Sequence, residues 1–331
     1  MSTANYVPET WNLTGSDAKQ TLADAGPTRL LRDAFERLRA SDGFSHARSM
    51  AFATALILVQ GVIALVGLAS ALDKGRVSEA IVGMLKDVFP GPAGTVLTDA
   101  VRQAHEAGAQ HRSLALTLGV VAALITGTTL LGQIERAMNR MYGIERDRPT
   151  LRKYARAFVL TISAGLLAVA AFMATTLGRG VANVWQDPAA RDTWNIVRWP
   201  LAFVLLVGAT VCIFRWSPRR HQPSWSWLTL GAILSVTLVL VVTLGLGAIF
   251  SLSSNLGDTY GPLAGFVALL LWTLLTSIAL LYGVASAAQL EAVRAGAPAP
   301  RRPTKGAGDT PERQTSEEAP AARTSPAGVA S

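Results

Sequence analysis

WSWLTLGAILSVTLVLVVTLGLGAIF, running from Trp225 to Phe250, holds no Asp, Glu, Lys, Arg or His. A helix needs about 20 predominantly apolar residues to cross a hydrocarbon core, and a soluble helix of that length keeps a charged face toward water. The stretch therefore reads as a membrane span. Working outward from it, Met50–Leu72, Ser113–Leu131, Phe158–Leu177 and Trp199–Phe214 precede it and Pro262–Ala288 follows, all equally free of charge. The expected fold class is all-α: a polytopic membrane protein with a bundle of six transmembrane helices.

Basic residues separate the two sides. The segment before the first span, the second and fourth loops and the tail together hold 22 of the 30 Lys and Arg residues, and the other loops hold 8. Positively charged loops resist translocation, so both termini are expected in the cytoplasm of a bacterial inner membrane. The net charge of +8 lies where this bias puts it, and attraction to anionic lipid headgroups accounts for it better than nucleic-acid binding. Residues 1–48 are polar and charged, unlike a cleaved signal peptide. Cys212 is the sole cysteine, which excludes disulfides within the chain.

Three domains are expected: an N-terminal segment over residues 1–48, a membrane domain over 49–291 and a basic tail over 292–331. Up to about Pro27 the sequence shows little periodicity and reads as loosely ordered. From Thr28, Leu30, Leu31, Ala34, Phe35 and Leu38 fall on one side of a helix with Arg29, Arg32, Asp33, Arg37 and Arg39 around the rest. Such an amphipathic helix either lies in the inner headgroup layer or caps the cytoplasmic end of the bundle. In the first external loop Ile81, Met84, Leu85 and Val88 mark one short helix, and Val96, Leu97, Val101 and Ala104 mark a second. Phe89-Pro90-Gly91-Pro92 breaks between them, giving an external helical hairpin. Trp185, Trp194, Trp199, Trp216, Trp225 and Trp227 sit near span edges and read as interfacial anchors. Beyond Glu291 the tail is too poor in apolar surface to order itself.

Known chemistry fails residue by residue. His105-Glu106 opens like a zinc helix, but Ala109 stands where the second His belongs, and Gly127-Thr-Thr-Leu-Leu-Gly132 lacks the phosphate-loop lysine, having Gln133 instead. No cofactor, metal site or catalytic set is expected. The polar residues inside the spans, Gln60, Thr126, Thr128, Thr129, Thr161, Ser163, Thr273, Thr276 and Ser277, read as packing glue or, less favourably, as a polar path. Gly67 with Ala71, and Gly245 with Gly247, are places where helices could approach closely.

After the second span the chain stays helical but polar, reading Glu135-Arg136-Ala137-Met138-Asn139-Arg140-Met141-Tyr142-Gly143-Ile144, with Gly143 as the helix stop. That stretch, together with Tyr260-Gly261-Pro262-Leu263-Ala264-Gly265 leading into Leu270-Leu271-Trp272, resembles the YihY/BrkB family of inner-membrane proteins over about Asp42 to Glu291. The resemblance implies six transmembrane helices with cytoplasmic termini. It implies no settled activity and no catalytic residues; part of the family long carried a ribonuclease label, for which this sequence offers no catalytic group. The chain departs from the family in having no proline in Ala51–Leu72, and in carrying Ala287 or Gln289, followed by Glu291, where an acidic residue is common.

Glu135, Arg136, Asn139, Arg140, Asp258 and Tyr260 are the candidate functional or structural polar residues. Glu135 is expected to pair with Arg136, Arg140 or the fourth-loop arginines, and Asp258 and Tyr260 to cap and anchor the last helix. The leading expectation is a protein that moves or accommodates a lipid-like or small amphipathic substrate. A scaffold that recruits partners through its N-terminal helix and basic tail is the alternative, and a membrane-embedded enzyme comes third. Membrane lipids are the expected partners, a second copy of the chain is allowed, and nucleic acid is not expected.

Overall fold

The computed structural model describes residues 6–71, 89, 91–108, 112–145, 148–184, 188–252, 262–297 and 300. The described residues form helices and connections, with no strand among them. In chain order these are α1 (Gly15–Ala25), α2 (Pro27–Ala40), α3 (Gly43–Ala71), α4 (Pro92–Gly108), α5 (Arg112–Met141), α6 (Thr150–Val184), α7 (Pro188–Trp216), α8 (Trp225–Leu252) and α9 (Pro262–Arg294). Among the described residues six helices, α3 and α5 to α9, are long and apolar enough to cross a membrane. They run from 28 to 35 residues, and at 1.5 Å per residue that exceeds the ~30 Å hydrocarbon core. Their ends therefore reach the headgroup layers, and charge appears there.

Each spanning helix packs on the next in sequence, and α9 packs back on α3, so the six close into a ring. The α8/α9 seam is set by glycine: a Cβ on Gly283 would meet the carbonyl of Gly231 at 2.5 Å, and one on Gly231 would meet that of Gly283 at 2.7 Å. Small residues let backbones approach in lipid, and here Ser235 Oγ also donates across the seam to the Leu280 carbonyl at 3.2 Å. Of the glycines singled out from sequence, Gly245 and Gly247 do not act this way, having nothing within 4 Å, and the surroundings of Gly67 and Ala71 lie outside what is described. Most span hydroxyls donate to their own helix, Thr128 to Leu124, Thr161 to Ala157 and Thr273 to Leu270 among them, and Ser277 is buried.

At one end α4 lies against α3 and α9. Pro92 starts it, after Gly91 at φ 45°, and buries Ala93, Leu97 and Val101 beside Ala268 and Leu269. Phe89 meets Trp272 edge to face at 4.8 Å. This is the second helix of the expected hairpin; the first, around Ile81–Val88, lies outside the described residues, as do Asp258, Tyr260, Trp185 and the tail beyond Pro300.

The opposite end gathers α1, α2, the α5–α6 and α7–α8 connections and the end of α9, so three of the basic segments converge there. Residues 6–27 are a correction to the sequence reading: they form an extended segment and α1, docked on the bundle. The Asp17 carboxylate accepts from the Thr14 N–H at 2.9 Å and its hydroxyl at 2.7 Å, opening the helix. α1 buries only Ala18 and Thr21. Contact through small residues leaves no large apolar stripe for periodicity to reveal. α2 packs on the bundle, with Leu30, Ala34, Arg37 and Leu38 buried, chiefly against α9, while Leu31 and Phe35 of its apolar face stay exposed. Trp227 is also corrected, being fully buried. Two residues along a helix turn about 200°, so Trp225 faces outward while Trp227 enters the core.

Candidate functional site

The last two turns of α5 organise the basic end. Glu135, Asn139 and Tyr142 recur at i, i+4 and i+7, which places them on one face, and all three are buried. The helix then stops in a Schellman arrangement: Gly143, at φ 75°, donates to Arg140 and Ile144 donates to Asn139 at 2.8 Å. Arg136 and Arg140 point elsewhere. They are exposed and line a separate cavity of about 460 Å³ with Ser41, Asp42, His46 and Glu145. The sequence quartet is therefore two sites.

Glu135 pairs with Arg148 at 2.9 Å, an arginine outside those named from sequence. Arg148 stands on the α5–α6 connection and its other contacts clamp the α7–α8 connection, donating to the carbonyls of Ser217 and Pro218, each at 2.6 Å. Burial pushes its guanidinium below the usual range, with Glu135 acting against that shift. Asn139 Oδ1 accepts from the Arg219 backbone N–H at 2.8 Å and ties down the same connection.

A second pair lies beneath. Arg220 Nη2 and Glu291 Oε1 are 2.5 Å apart with side chains 2% and 0% exposed. The Arg220 guanidinium sits 4.5 Å above the Tyr142 ring and donates to the Val7 and Pro8 carbonyls. Glu291 also accepts from the Thr10 hydroxyl at 2.6 Å, and the Val7 N–H donates to the Tyr142 carbonyl. The N-terminal strand of chain is thus bound across the pair as a strap, with Trp11 stacked on His221 at 3.9 Å. Burial raises the Tyr142 phenol far above its ordinary range, so it stays neutral.

A third buried cation, Arg37, donates to neutral groups and is favoured from further off by the Asp33 and Glu291 carboxylates. Its Nε donates to Gln289 at 2.9 Å and Nη1 to the Met141 carbonyl at 3.1 Å. Desolvation lowers it to about 10, still protonated at neutral pH. Gln289 is one of the positions where the sequence departs from the family resemblance. At the other end, Arg198 in α7 is 8% exposed and lies over the Trp199 ring.

The sequence reading singled out Glu135 and Asn139 and flagged Gln289 and Glu291, but it gave Arg37 and Arg148 no pairing role and offered Arg220 only among the fourth-loop arginines for Glu135. Among the described residues no group of three His, Cys, Asp or Glu side chains could hold a metal ion.

A ring of membrane-crossing helices, with one end tied by buried ion pairs, defines a multi-pass α-helical membrane protein. The profile of the family described as virulence factor BrkB matches residues 34–307, and the chain belongs to that family. It is 21% identical to the ribonuclease-like protein YfkH of Bacillus subtilis strain 168 over 76% of this chain and 92% of that protein. It is also 28% identical to a UPF0761 membrane protein of Azoarcus sp. strain BH72, over 80% of this chain and 64% of the relative. Another UPF0761 membrane protein, from Stenotrophomonas maltophilia strain K279a, is 26% identical over 76% of this chain and 58% of its own length. The chain therefore spans less than two thirds of these two UPF0761 relatives. No solved structure matches it.

Proposed function

We propose that this protein resides in the bacterial inner membrane with its basic end and both termini in the cytoplasm, and there accommodates or moves a lipid-like amphipathic molecule without enzymatic chemistry. The observation that carries this reading is an open arginine-lined groove beside the buried ion pairs, set against the lipid-facing surface of α6. Arg148, Arg152, Arg156 and Arg219 line about 500 Å³, within the size of ordinary ligand sites. The ion pairs hold the loops that shape its wall, so Glu135 and Asn139 act as positioning residues. Membrane lipids are the partners this surface suits.

A scaffold reading draws less from α2, because Leu30, Ala34 and Leu38 of its apolar face are buried, chiefly against α9, although Leu31 and Phe35 remain exposed. Reconstitution into liposomes tests the proposal: transbilayer movement of fluorescent phospholipid faster than in protein-free vesicles is expected, and no flux of lipid or ions would overturn it. Reporter fusions after Gly143 and after Glu291 should register as cytoplasmic.

A further inference from the structure

We propose that the groove at the start of α6 is a binding site for the phosphate of an anionic phospholipid headgroup, with the acyl chain laid along the same face of α6. The inference rests on the lipid reading above and names its headgroup class. Arg152 and Arg156 are four residues apart, so both project from one face, and Arg148 and Arg219 enter the groove from the connections. Four guanidinium groups converge there. Among the described residues no carboxylate lines the groove; Glu135 is matched to Arg148, and Arg156 and Arg219 both act on Arg148 as like charges. A concave surface carrying such excess positive charge suits an anion, and arginine's planar fork suits phosphate oxygens in particular.

The helix face decides which phosphate. Continuing from Arg152 and Arg156 at helical spacing come Val159, Ile162 and Leu166, which are 64%, 48% and 68% exposed. A charged cradle at the headgroup level thus runs without interruption into an apolar track at acyl depth. A nucleotide or a free phosphate would use the first and leave the second unexplained; a diacyl phospholipid uses both.

The test is native mass spectrometry of the full chain in micelles titrated with dioleoylphosphatidylglycerol or dioleoylphosphatidylcholine. One saturable phosphatidylglycerol is expected, with phosphatidylcholine much weaker. Two basic contacts at about 1 kcal/mol each make the R152Q/R156Q variant roughly tenfold or more weaker. R152K/R156K should recover part of that loss, which a folding defect would not. R29Q/R32Q removes the same charge from exposed positions of α2 at the same end and should change affinity less than about twofold. An equal loss in R29Q/R32Q, equal binding of phosphatidylcholine, or displacement by millimolar inorganic phosphate would each overturn the assignment, the last pointing to a small anion. Selective binding without liposome flux would leave the site standing and sink transport; flux with unselective binding would do the reverse.

Discussion

Arg37 is a fully buried cation that donates to neutral groups. Its guanidinium donates to an amide oxygen and a carbonyl and is favoured electrostatically by the Asp33 and Glu291 carboxylates, whereas Arg148 and Arg220 each meet a carboxylate directly. Gln289→Glu should place a carboxylate at an existing 2.9 Å contact and raise the thermal unfolding temperature of the detergent-solubilised protein. An unchanged or lower temperature would show that the amide is already adequate. Glu291→Ala should do the opposite. It strands Arg220 in the interior, and breaking a buried pair from one side costs about 3–5 kcal/mol. The double variant R220M/E291L, which removes both charges, should cost clearly less than the two single substitutions added, measured in the same thermal assay.

At the scale of elements, the long charge-free runs were legible because lipid admits little else, and α2 and α4 were legible from their stripes of Leu and Val. α1 was not, since it docks through Ala18 and Thr21 and periodicity registers bulk, not fit. The glycine seam was illegible for a related reason. In a chain with 29 glycines, spacing alone does not separate Gly231 and Gly283, which face one another, from Gly245 and Gly247, which face open space. Gly283→Val should thus sharply lower folded yield by driving α8 and α9 apart. Gly247→Ala should be neutral or stabilise by up to about 1 kcal/mol through helix propensity. Comparing monodisperse yield after solubilisation checks both, and equal yields would remove the seam's special standing. The pairing of Glu135 with Arg148 was hidden because it crosses a connection whose path no local pattern specifies.

For the whole molecule, the strap joins parts that the sequence holds far apart: Thr10 meets Glu291, and Leu13 meets Ser224. Deleting residues 1–14 should leave the spans inserted but raise hydrogen–deuterium exchange at 217–224 and 289–295; exchange equal to the intact chain would mean the strap bears no load. The closure of α9 on α3 carries a further consequence for biosynthesis. The first span enters the bilayer with the flank meant for the last one bare, and translation at about 5–20 residues per second leaves it so for roughly ten seconds or more. Through that interval the nascent protein is an open horseshoe, so a ribosome stalled before Pro262 should yield a product that insertion chaperones retain and membrane proteases cut.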